Sequence, residues 1–128
     1  DEGVQEFTYA ILPHQGDWYE GGVREAAEDL NQPLLGLPAR NLAAGLHAPL
    51  MVSGIKAGLA ALKPAEEGGG LVLRLYEPAG ARGPLSITMP EGWRLGEAVS
   101  LLEEPAERDK AHDLEPFELR SWRLLPGR

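Results

Sequence analysis

His14, Asp17 and Trp18 stand close together at the end of the segment EFTYAILPHQGDW, residues 6–18. An imidazole titrates near neutrality and a carboxylate can orient it. His14 and Asp17 could thus form a base with its orienter, or half of a metal site. The flat apolar ring of Trp18 would suit one face of a sugar. Trp93, in the turn-like stretch PEGWRLG, offers a second platform of that kind. His14, Trp18 and Trp93 are therefore the candidate sugar-contact or cleft-contact residues. A structural reading competes. Asp17 with Glu20 three residues on has the spacing of a helix-capping box, which occupies the carboxylate and leaves His14 a polar residue at a strand end. The capping role is the stronger of the two.

Other chemistry finds less support. A zinc or iron site needs three or more converging ligands, and His14, His47 and His112 are scattered without HExxH or HxH spacing. Ser53, Ser86, Ser100 and Ser121 lie in no GxSxG elbow. The stretch EEGGG lacks the Lys and Ser/Thr of a phosphate loop and leads into a strand, so it reads as a hairpin turn. Glycoside hydrolysis uses two carboxylates across a cleft, and Glu66–Glu67, Glu103–Glu104 and Glu115/Glu118 are candidate pairs. With 20 acids in 128 residues such pairs are expected on solvated loops, and nothing in the sequence marks any of them as buried. No catalytic, cofactor-binding or metal-binding residue is assigned.

The elements that would carry these residues are mostly strands. In residues 4–12, Phe7, Tyr9 and Ile11 alternate with Glu6, Thr8 and Ala10, the period of a strand with one buried face. After Pro13 and Gly16, the residues Tyr19, Val23, Ala26, Ala27 and Leu30 keep helical spacing from an Asp17 N-cap, with Asn31 and Pro33 closing the segment. Gly21 and Gly22 weaken its first turn by roughly 1 kcal/mol each relative to Ala. Residues 32–48 read as a crossing loop with packed leucines. Six strand-like runs follow, at 50–53, 59–63, 71–76, 85–89, 97–102 and 114–125, separated by turn signals. The last run changes face near Ser121. Either a bulge re-aims its second half or that half is covered on both sides, and Trp122 is structural in both cases. The expected fold is mainly β: an antiparallel β-sandwich with one short helix near the N-terminus.

Composition bounds the partners. The length is that of one ordinary domain, and the balance of 12 basic to 20 acidic residues gives a net charge of −8. Such a surface repels phosphate backbones, so neither nucleic acid nor an anionic membrane is an expected partner. With no cysteine there are no disulfides or thiolate metal sites. No run is long enough to span a bilayer. The chain begins at Asp1 and enters a strand-like pattern within a few residues, as a piece of something longer would.

Five segments carry a further signal: GVQEFTYAILPHQGDW, REAAEDLNQPLL, LKPAEEGGGLVLRLYEPAGARG, VSLLEEP and LEPFELRSWRL. In this order they resemble the C-terminal portion of the glycoside hydrolase family 38 α-mannosidases, the bacterial branch in particular. The resemblance implies the all-β terminal part of a long multidomain enzyme. Family members are retaining enzymes with a zinc ion and an aspartate nucleophile, held by motifs nearer the N-terminus. None of those motifs occurs here, so no catalytic or zinc-binding residue is carried over, and the zinc is expected only in the parent catalytic domain. The expectation is then a single domain over residues 1–128, a non-catalytic accessory part of a cytoplasmic α-mannosidase. Its partners would be the catalytic domain of the same chain and, through it, carbohydrate. An apolar contact face would let the isolated segment form homo-oligomers. The alternative is a free-standing carbohydrate-binding module for mannosides.

Overall fold

A computed structural model describes residues 3–32, 50–106 and 113–127. The chain divides into two compact units, Asp1–Leu42 and Ala43–Arg128. The crossing loop expected at 32–48 lies almost wholly outside the described residues, as do Pro33, His47 and His112.

In the first unit the expected strand is absent. Residues 4–14 form no helix, strand or turn and pair with no ladder among the described residues, and Phe7, Tyr9 and Ile11 are 82, 78 and 86% exposed. Alternation gives a segment the faces of a strand, but only a neighbouring edge supplies its hydrogen bonds. The helix is shorter than its apolar spacing suggests. Asp17 does cap, its Oδ1 accepting the backbone N–H of Tyr19 at 2.9 Å and Glu20 at 2.8 Å, but it caps a turn ahead of the helix. The helix itself, α1, is Val23–Asn31, and its N-cap is Gly22 at φ +67°, with no side-chain cap. The glycine pair thus divides one expected helix into a turn and a helix.

The second unit is the β-sandwich. Its strands are β1 (Met51–Gly54), β2 (Gly58–Pro64), β3 (Leu71–Tyr76), β4 (Gly83–Thr88), β5 (Trp93–Val99), β6 (Asp113–Leu114) and β7 (Leu119–Pro126). One antiparallel sheet has the order β1-β4-β6 and the other β2-β3-β7-β5. The EEGGG stretch closes the β2–β3 hairpin, with Ala65 N–H donating to Gly70 O at 3.1 Å. Leu73, Leu75, Trp122 and Leu124 from the larger sheet meet Leu85 and Leu114 from the smaller one in the main core. Each large apolar side chain buried there contributes about 1.5–3 kcal/mol.

The change of face in the last run has a definite cause. The β3–β7 register is unbroken from Leu71↔Leu124 to Tyr76↔Leu119, so no bulge occurs at Ser121. The strand is covered on both sides instead. Trp122 and Leu124 face the main core, while on the other face Ser121 is buried and Arg123 half-buried. The register shifts fall instead on the two outer strands of this sheet, between Leu59 and Ala61 in β2 and between Leu95 and Ala98 in β5. The run expected at 114–125 is also cut in two by a turn at 115–118, where Glu118 N–H donates to Glu115 O at 3.1 Å. Among the described residues no helix is long and apolar enough to cross a membrane.

Candidate functional site

The residues singled out for chemistry do not form one site within either unit. His14 and Trp18 belong to the first unit and Trp93 to the second. The imidazole of His14 lies against the backbone of Gly21, with Nδ1 3.5 Å from Gln15 O. Asp17, its possible orienter, is occupied by the Tyr19 and Glu20 amides. Trp18 is 48% exposed and meets Tyr19 edge to face, centroids 5.7 Å apart. Trp93 is not in a turn. It opens β5 opposite Pro126 and packs, half-buried, against the main core.

The most developed polar sites are three glutamates of the second unit. Glu77 follows β3 and is 2% exposed. Its carboxylate accepts the N–H of Ala79 at 2.9 Å, Gly80 at 2.6 Å and Phe117 at 3.0 Å, and that of Ala81 as well. Burial by itself would raise its pKa, but these amides outweigh burial and hold the carboxyl below its ordinary value. Glu77 thereby joins the 77–81 loop to the 115–118 turn. Phe117 sits at φ +58° in that turn, and its ring covers Gly80, where a β-carbon would come within 2.8 Å of Cζ. Only glycine fits beneath it.

Glu118 makes the second clasp. It takes both Nε and Nη2 of Arg120, at 2.9 and 2.8 Å, and the Glu115 amide at 2.8 Å. Arg120 in turn stacks 5.9 Å from the Trp122 ring centroid. Outside this pair, Arg82 forms a two-pronged ion pair with Glu115.

Glu103 makes the third. It sits at φ +63° in a turn organised by Ser100, whose hydroxyl accepts the Leu102 and Glu104 amides at 3.1 and 3.3 Å. Its carboxylate meets Lys63 Nζ at 2.5 Å and accepts the Glu66 amide at 2.9 Å. Hydrogen bonding by Lys63, then by the Glu66 amide, lowers the Glu103 pKa; the same contact raises that of Lys63. Glu66, Glu67, Glu97, Glu104 and Arg123 surround it in an open cleft of about 380 Å³.

Nothing in the sequence marks Glu77, Glu103 or Glu118 as other than solvated. The one available hint is the place of Glu77 at a strand end before Pro-Ala-Gly, where a carboxylate can gather loop amides. A glycosidase acid needs a raised pKa and a free proton position. Glu77 and Glu103 are shifted the opposite way, and their oxygens hold backbone or lysine. These groups fasten loops. The described residues do not fit a zinc site either: no three His, Asp or Glu side chains are placed so that they could hold one metal ion, and the ring of His14 is turned to the backbone near it.

Comparison with known proteins agrees with the sandwich fold. The family model described as the glycosyl hydrolases family 38 C-terminal beta sandwich domain matches residues 57–122. The chain belongs to this family. Alpha-mannosidase 2C1 of Homo sapiens and of Mus musculus are each 45% identical to it over 85 residues. That stretch is 63% of this chain and 8% of each relative, so the chain spans only a small part of their length. No solved structure matches the chain. Within the family 38 match lie Lys63, Glu77, Glu103, Glu118 and Arg120, hence all three clasps. His14 and Trp18 fall outside it.

Proposed function

We propose that these 128 residues are the C-terminal portion of a longer glycosidase chain and serve it as a non-catalytic accessory part. The parent hydrolyses α-mannosides, and its zinc and nucleophile reside in a separate catalytic domain. The observation that carries this reading is the use made of the buried carboxylates. Glu77 and Glu103 hold loop amides and a lysine, which suits a domain selected to keep its shape against a neighbour. The printed names of the relatives support the substrate class. The catalytic domain of the same chain is the principal partner, carbohydrate is met through it, and the setting is the cytoplasm. The exposed Met51, Leu59, Leu62 and Leu102 supply apolar surface for contact with that partner, or for self-association of the segment alone.

The test compares the segment with the mannosidase-length chain. The segment should release no product from an aryl α-mannoside and leave Trp fluorescence unchanged on titration with α-mannobiose. Glu77→Ala in the long chain should lower its Tm while leaving KM as it was. A saturable fluorescence change abolished by Trp93→Ala would favour the carbohydrate-binding module instead. Fractionation of source cells tests the compartment.

A further inference from the structure

The first unit carries an apolar pattern suited to burial. Among its described residues, 3–32, not one is buried, and α1 contains no buried residue. A unit of this size cannot be stable without a core or a partner. Phe7, Tyr9 and Ile11 are 82, 78 and 86% exposed. The rings of Phe7 and Tyr9 lie on one side of the chain with centroids 6.2 Å apart, as residues two apart do in an extended strand. Residues 4–12 thus have a strand's alternation, with Phe7 and Tyr9 on one side, and no ladder partner among the described residues. The family match begins only at Ala57, leaving this unit outside the domain it describes.

We propose that residues 4–12 are a β-strand given to a sheet of the polypeptide that precedes this segment in a mannosidase-length chain. The Phe7, Tyr9 and Ile11 face closes that neighbour's core. This rests on the accessory-domain reading. The great majority of the relatives' length lies outside the matched part, which supplies an occupant in the same chain at high effective concentration. Main-chain hydrogen bonds to an open edge would give the strand its attachment, and the alternate apolar side chains its register. The boundary between the two domains then falls after α1, and the accessory part is tied to its neighbour by shared secondary structure.

The test is amide hydrogen exchange on the unmodified mannosidase-length chain and on the 128-residue chain. In the long chain, alternate amides of residues 6–11 should exchange about a hundredfold slower or more than in the short chain. Tyr9→Asp should lower the Tm of the long chain and leave that of the short one unchanged. Fast exchange of 6–11 in a long chain that hydrolyses α-mannosides overturns the strand and leaves the accessory-domain reading intact. Protection already present in the short chain overturns it too: if it grows with concentration the occupant is a second copy, and if not, the strand docks within these 128 residues. A native polypeptide of only 13.8 kDa overturns both the strand and the reading beneath it.

Discussion

The two units of this chain use apolar residues in opposite ways. In the second, Leu73, Leu114 and Val72 are wholly buried, and Trp122 and Leu124 nearly so. In the first, Val4, Phe7, Tyr9 and Ile11 are almost as exposed as in an unfolded chain. The difference lies in where the pairing partner resides and not in composition. The second unit finds each strand's neighbour within some tens of residues, so its hydrophobic alternation becomes a core. The first carries equally good alternation and finds no edge among the described residues. An amphipathic pattern is a capacity for burial, and topology decides whether it is exercised.

This contrast can be broken experimentally, beginning with the core. Leu73→Ala in the 128-residue chain should cost about 2–5 kcal/mol, read from the urea midpoint at unchanged m-value. A loss below about 1 kcal/mol would mean that the sandwich core is not what holds the second unit together. Glu77→Ala should cost about 3 kcal/mol, because several buried amides lose their acceptor together. Glu77→Gln, which keeps one acceptor oxygen, should cost less.

The pH dependence follows from the same carboxylate. The folded state holds Glu77 below its ordinary value of 4.5. Its contribution is therefore complete above about pH 4.5 and is lost as pH falls through the lower folded value. Glu77→Gln should flatten the acid limb of a stability profile, and an unchanged limb would show that Glu77 does not titrate with unfolding. Lys63 behaves in the other sense. Its raised pKa means that its stabilising pairing with Glu103 is complete below pH 10.5 and is lost as pH rises through the folded value. Lys63→Met should remove that alkaline dependence. The smallest effect belongs to the first unit: Phe7→Ser should change the stability of the 128-residue chain by less than about 0.5 kcal/mol. A loss like that of Leu73→Ala would mean the two units differ less than their exposures indicate.

Much of the second unit could be read from the chain. The run at 71–76 coincides with β3, EEGGG is the hairpin turn, and the two-sided burial of the last strand was one of two alternatives. These features are local, or depend on a strand long enough to declare its period. Trp93 was misplaced because Gly92 and Pro90 look like the middle of a turn, while the strand begins immediately after them. The helix start was misplaced because a capping pattern at Asp17 satisfies a turn as readily as a helix.

By itself the sequence determined the β class and the approximate extent of the first four strands of the second unit, while the run expected at 97–102 proves to be β5 at 93–99 and that at 114–125 proves to be two strands. The class and those four extents follow from side-chain period, turn chemistry and composition, which act over a few residues. Only the tertiary structure decided which of the 20 acidic residues are buried. Glu77 reaches an amide 40 positions away at Phe117, and Glu103 another 37 away at Glu66. A carboxylate's neighbours at such separations are set by sheet order and loop closure. Tertiary structure alone also decided that residues 4–12 go unpaired here, because a strand is completed by the edge beside it and no alternation within the segment can supply one.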